Sequence, residues 1–266
     1  MHPFYFGPQD MPLFGIYHPP LTRADRETGV VLCNTFGSEY IYSHRALRQL
    51  AVRLSRVGFH VLRFDYYGTG DSGGESDEVD LEQWKKDITI AISELKERAG
   101  LSKVSLIGLR LGAALGLLVS RERNDVESVL LWEPVIEGKG YIKELMNQHQ
   151  GWLKEQLFSE LKGPAPKKGV IEIVGFPLTD RMKQSIESID LLSQDRCPVQ
   201  HVLIVRSSRE KDDQSLLSRL GGLGVSTVYK EIVASSQWLE REGLGQVVVP
   251  TEALEAMGQW MAEIHP

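Results

Sequence analysis

The sequence predicts an α/β fold: a mostly parallel sheet with helices on both faces. Three observations carry that expectation. Short apolar runs alternate with stretches of helical periodicity along most of the 266 residues. The loops between them are short, as in sheets covered on both faces. One stretch, residues 103–113, passes from an apolar strand through a sharp turn at Gly108-Leu109-Arg110-Leu111-Gly112 into a helix carrying Ala114, Leu117 and Leu118. Small residues two before and two after the central position let a strand reverse into a helix without a clash.

The bulk properties set limits. An apolar share of 42% fills a full core, and the length suits one large domain. A formal net charge of −6 offers no basic footprint for nucleic acid and no polybasic membrane patch. The first six residues lack the charged start and long apolar run of a secretion signal. The longest apolar run, 104–119, carries Arg110 and three glycines, so it reads as strand plus helix and not as a membrane span. Cys33 and Cys197 have no metal-like spacing. They read as buried, reduced thiols, which suits the cytoplasm. Neither a metal nor a cofactor is expected.

Taken in order, residues 1–20 hold two extended pieces punctuated by prolines and read as an edge hairpin. Residues 29–33 form a buried strand ending in the polar loop 34–39. Ser43 looks like the cap of a helix over Leu47, Leu50, Ala51, Leu54 and Val57, which Gly58 stops. A strand over 59–64 leads into the glycine-rich loop 65–74. That loop lacks a P-loop lysine, so its glycines read as tight packing. Leu81, Trp84, Ile88, Ile92 and Leu95 mark the next helix, and 126–132 the strand after the turn.

The rhythm then changes. Residues 138–197 hold a long helix over 141–161, the loop 163–169, a short strand near 170–174 and a helix capped by Thr179. This block reads as a cap inserted into a single domain whose core is 1–137 and 198–266. Trp152, Leu153, Leu157 and Phe158 give the long helix an apolar stripe that would cover a crevice. Strands at 201–205 and 225–233 and a helix over 251–264 complete the alternation. In such sheets ligands sit at the C-terminal strand ends. That places 34–39, 65–67, Arg110, Leu111, Trp132, Glu133 and 207–213 around one crevice.

The strand–turn–helix of 103–113 has the context of a G-x-S-x-G nucleophile elbow with arginine at its centre. Together with Gly58-Phe-His-Val-Leu-Arg-Phe-Asp-Tyr-Tyr-Gly-Thr-Gly-Asp-Ser-Gly73 one helix upstream, and an insertion after Trp132-Glu-Pro-Val135, it resembles the α/β-hydrolase superfamily. Within that superfamily it is similar to the serine-aminopeptidase-like branch. It is most similar to the type 2 hydrolases of exosortase A systems and their relatives in biosynthetic clusters. The resemblance implies a capped α/β-hydrolase fold. It also implies a nucleophile at Arg110, an acid at Asp212 or Asp213, and a histidine between the last strand and the last helix. Residues 234–250 contain no histidine, and Gln237-Trp238 stands there instead. His265 is too near the terminus, and His60 and His201 fall at strand starts.

A guanidinium stays protonated and cannot attack a carbonyl. Losing one member of a triad removes nearly the whole effect, on the order of 10⁶ in turnover. Backbone donors at Leu111 and at 35–38 would survive as an oxyanion hole. Cys33 reads as a buried thiol, and His44 beside Ser38 as a surface residue. Glu39, Glu133 and Asp212 are candidates for acid–base work, or for neutralising Arg110 in the order Glu133, Glu39, Asp212. The expected ligand contacts are Asn34, Thr35, Phe36, Gly37, Ser38, Glu39, Arg110, Leu111, Trp132, Glu133 and Trp238. The expected function is binding of an anionic or acylated small molecule, or of a carrier-bound intermediate, in a biosynthetic pathway. The alternative is an acyl or ester hydrolase or acyltransferase using other residues. Carrier protein and homo-oligomer are the expected protein partners, with no nucleic acid and no membrane span.

Overall fold

The computed structural model describes residues 1–22, 26–155, 169–239, 241–242 and 246–266. Its centre is an eight-stranded sheet. The strands are β1 (His2–Phe6), β2 (Leu13–His18), β3 (Thr28–Cys33), β4 (Val61–Phe64), β5 (Lys103–Leu109), β6 (Val126–Trp132), β9 (His201–Arg206) and β10 (Ser226–Glu231). Their spatial order is β1-β2-β4-β3-β5-β6-β9-β10. Pairing is parallel from β4 through β10, and the β1–β2 hairpin joins antiparallel at the β4 edge.

Both faces of the sheet are buried. Along β3, Val30 and Leu32 face one core cluster, while Val31 and Cys33 face the other. The same alternation places Leu130 and Trp132 opposite Val129 and Leu131 on β6, and Leu203 and Val205 opposite Val202 and Ile204 on β9. Helices α1 (Ser38–Arg56) and α7 (Thr251–Ile264) cover the first face through Leu47, Leu50, Leu54, Leu254 and Met257. Helices α2 (Leu81–Ala99), α3 (Leu111–Ser120) and α6 (Lys211–Gly222) cover the second through Ile88, Leu95, Leu115 and Leu216. Strands apolar on both sides and wrapped by helices are what a parallel sheet requires.

Between β6 and β9 the chain inserts α4 (Gly138–Glu155), an antiparallel hairpin of β7 (Val170–Ile173) and β8 (Phe176–Thr179), and α5 (Asp180–Glu187). Thr179 caps α5 by accepting from the Met182 amide, as its sequence position predicts. Arg181 of α5 pairs with Asp80, which caps α2. Leu157, Phe158, Leu161 and most of the loop 163–169 lie outside the described residues. Among the described residues, no helix is long and apolar enough to cross a membrane.

Two local readings are corrected. Ser43 is not the cap of α1: the helix starts at Ser38, because Gly37 takes a positive φ of 61° and turns the chain in earlier. Ser43 sits one turn inside and donates to the Tyr40 carbonyl. The glycine-rich loop is packing, as read. A Cβ at Gly70 would come within 2.2 Å of the Asp65 carboxylate, and one at Gly74 within 2.3 Å of the Tyr67 ring.

Candidate functional site

The turn after β5 is closed by its glycines. A Cβ at Gly108 would lie 2.3 Å from the Gly112 carbonyl, and one at Gly112 would lie 2.2 Å from the Asn34 carbonyl. Only glycine allows β5, α3 and loop 34–38 to meet this closely. Arg110 at the apex takes φ 52° and ψ −115°, a conformation L-residues avoid. Its amide donates to the Trp132 carbonyl and its carbonyl accepts from Ala113 and Val135, so the strained apex is tied down on both sides.

Arg110 is 8% exposed, and its guanidinium is paired with two carboxylates. Nε donates to Glu39 Oε1 at 3.1 Å and Nη2 to Glu144 Oε2 at 2.5 Å. Its Cζ lies 5.3 Å from the centre of the Tyr141 ring. Burial works against the charged form, but the carboxylates of Glu39 and Glu144 outweigh it and hold the guanidinium above its ordinary pKa. Glu39, 1% exposed, is satisfied in turn: its Oε2 accepts from Thr35 Oγ1 and from the Tyr141 hydroxyl, the latter at 2.8 Å. Burial and the Glu39 carboxylate hold the Tyr141 hydroxyl well above its usual range. A buried charge needs this degree of pairing.

The order of counter-ions is therefore corrected. Glu133, expected first, serves a different arginine. Its backbone turns through φ 46°, and its carboxylate accepts from the Ser207 amide at 2.6 Å and from the Ser235 hydroxyl. Arg206 Nη1 stands 3.8 Å away. Arg206 is 2% exposed and bonds Asp213, Glu210 and the Pro134 carbonyl as well. Asp212 is exposed and makes no pair with Arg110, whereas Asp213 is fully buried. Glu144 was missed, because it lies in the inserted helix and nothing in its spacing distinguishes it from a solvated charge. Tyr141, one turn before it, reads only as apolar stripe. The face that α4 presents to the elbow is polar, not apolar.

Several expected contacts are core instead. Leu111, Trp132 and Trp238 have 0% exposure. Trp238 packs edge-on against Trp132 at 6.4 Å, and Trp132 donates to the Ser235 carbonyl. Asn34 is held by its own bond to the Phe64 carbonyl at 2.7 Å. Ser38 is buried, and His44 is exposed with Nδ1 on the Ile41 carbonyl. Burial pushes the Cys33 thiol up to about 12, as an inert structural thiol requires.

Two cavities flank the elbow. One, of about 230 Å³, is walled by Arg110, Tyr141 and Arg206, with the carboxylates of Glu137, Glu144, Glu210 and Asp212 around them. Four carboxylates against two guanidiniums repel an added anion. The other, of about 290 Å³, lies beyond loop 34–38. Phe36, Tyr40, Ile41, Trp84, Phe176 and Met182 wall it, with the hydroxyls of Thr35, Thr69 and Ser76 and, among the described residues, no charged side chain. Among the described residues, no group of histidine, cysteine and carboxylate side chains is arranged to hold a metal.

Comparison with known proteins agrees with this architecture. No curated sequence matches the chain. Est1E of Butyrivibrio proteoclasticus, with ferulic acid bound, superposes with a TM-score of 0.66 over 98% of each chain at 14% identity. An esterase from Pyrococcus furiosus gives 0.65 over 100% of this chain and 91% of its own, also at 14% identity. The bottromycin epimerase BotH, in complex with bottromycin A2, gives 0.58 over the full length of both at 17% identity. At such identities these likenesses establish the α/β-hydrolase fold. The family model for serine aminopeptidases of type S33 matches residues 29–196, from β3 past α5. With well over half of its length so matched, the chain belongs to the S33 serine aminopeptidase family of α/β hydrolases.

Proposed function

We propose that this chain is a family member that binds an uncharged apolar or acyl group, free or carrier-bound in a biosynthetic route, and does not hydrolyse esters through a serine. The observation that carries the reading is Arg110. It occupies the apex where a nucleophile would be presented, and it is ion-paired to Glu39 and Glu144. A guanidinium offers no lone pair for attack. Residues 234–250 hold no histidine, so no base stands at the matching position. The Arg110 cavity is rimmed by carboxylates, which turns the reading from an anionic ligand to an acyl one. The uncharged cavity beside loop 34–38 fits such a group in wall chemistry and size. Residues 138–197 then act as a cap that Arg110 pins through Glu144. One protein of this fold is an epimerase, so the frame alone does not dictate ester hydrolysis.

The test combines a reactive probe with a paired substitution. The wild-type protein should take no label from a fluorophosphonate and turn over no p-nitrophenyl acyl ester. Arg110→Ser with Glu39→Gln restores the serine without stranding a buried carboxylate, and should still show neither. Stoichiometric labelling or turnover in either protein would mean that a nucleophile and a base are in place, and would favour a hydrolase or acyltransferase using other residues.

A further inference from the structure

The exposed face of α1 is basic from His44 to its C-terminal end at Arg56. His44, Arg45, Arg48, Arg53 and Arg56 project from it, and its sole carboxylate, Glu39, is buried. Arg45, Arg48, Gln49, Val52, Arg53 and Arg56 line a shallow groove along this one helix. Arg53 is tied to Glu255 of α7 at 3.3 Å. Helix α2, of equal length, is built differently: its bases are interleaved with acids, in the pairs Lys85–Glu82 and Arg98–Glu94. Such interleaving is the ordinary way to solvate a helix surface. A one-sign stripe on a chain of net charge −6 is not.

We infer that this stripe is a docking surface for a partner protein that presents a helix with carboxylates along one face. Arg45, Arg48, Val52 and Arg56 recur at three- and four-residue intervals, so they form a straight row about 16 Å long at 1.5 Å per residue. A partner helix with Glu or Asp at the same intervals matches that row. The guanidinium fork accepts a carboxylate through two parallel bonds. A membrane surface fits less well, because a helix lying in a bilayer must expose its apolar face. Here Leu47, Leu50 and Leu54 are spent in the core. A nucleic acid fits less well too, since the acidic remainder of the chain repels an extended phosphate backbone. The row begins next to Ile41, 49% exposed, which belongs to the same face and also walls the uncharged cavity. A docked partner would thus sit beside that cavity's rim, but the inference rests on the charge pattern and stands whether or not the cavity holds an acyl group.

The test uses a fluorescein-labelled, lactam-stapled helical peptide with glutamates on one face at these intervals. Its control is a peptide of the same composition with the glutamates spread around the helix. Fluorescence anisotropy should show the wild-type protein preferring the first. The affinity should fall about tenfold in Arg45→Glu/Arg48→Glu/Arg56→Glu, and by a similar factor when salt is raised from about 50 to about 300 mM. All three residues are exposed, so the variant should melt with the wild type. Equal binding of the two peptides, no binding, no response to the charge reversal, or tighter binding to phosphatidylserine vesicles or a single-stranded oligonucleotide would each overturn the inference.

Discussion

At the N-terminal end of the parallel sheet, Ser105 Oγ lies 2.9 Å from His265 Nε2, and His265 Nδ1 lies 3.6 Å from Glu127 Oε2. At the C-terminal end the sharp turn after β5 presents Arg110, with Glu39 and Glu144 around it. The first region holds serine, histidine and carboxylate in chemical sequence. Among the described residues it is closed over: Ser105 and Ser128 are 0% exposed, Ser128 hydrogen-bonds both partners, and the cluster ties His265, just after α7, to β5 and β6. The second region has the entrance and the presenting turn, and neither nucleophile nor base in the matching positions. A hydrolytic triad is a location as much as a set of residues. It needs an exposed apex, nearby donors for an oxyanion, and room for a substrate.

The comparison can be broken most forcefully at Arg110. Arg110→Met strands the Glu39 carboxylate, and should destabilise the fold by about 3–5 kcal/mol in urea titration. Adding Glu39→Gln should recover most of that loss. A single variant as stable as wild type would mean that the guanidinium is not integral to this end of the sheet.

The next effect belongs to the N-terminal end. Burial pushes His265 down to about 4 from 6.5, with His201 and Arg26 acting the same way and Glu127 opposing. Between those values the unfolded chain binds the proton and the folded one does not, so stability is full above pH 6.5 and is lost as pH falls toward 4. His18, also pushed down to about 4, adds to the slope, and Asp87, pushed up to about 6, subtracts from it. His265→Asn should flatten the dependence of melting temperature on pH across this window. An unchanged slope would remove His265 from the account.

The smallest effect sharpens the difference. Ser128→Ala removes the hydroxyl that contacts both Ser105 and His265, while the Ser105–His265 contact stays, and should cost about 1–2 kcal/mol in thermal melts. Fluorophosphonate reactivity should stay at zero before and after. Labelling of Ser105 in the native protein would show that this end opens.

The periodic and steric signals were legible along the chain. The covered sheet, the turn at Gly108 and Gly112, the Thr179 cap and the closing helix at 251–264 all follow from apolar period, small residues and cap chemistry. The side-chain network at the turn was not. Glu133 stands at the end of the strand beside Arg110, which suggests a pair, but its positive φ sends the carboxylate to Ser207 and Ser235. Glu144 is 34 residues from Arg110 along the chain and arrives on an inserted helix. Trp132 and Trp238 sit at strand and loop ends facing the expected crevice, yet they pack against each other in the core. Local pattern fixes backbone path well, while pairings across inserted elements depend on docking that no spacing encodes.

The turn at residues 108–112 behaves as a mount. Its shape is set by two glycines and the backbone bonds at its apex, none of which involves the side chain it carries. The conformation at residue 110 costs any L-residue on the order of 1–3 kcal/mol, whatever it presents. The aim is thus held constant while the fitting is exchangeable. A serine there would point a hydroxyl into the same space that the guanidinium now fills, and a cysteine a thiol. What a chain of this shape does is decided by one fitting and by whether anything across the gap is built to answer it.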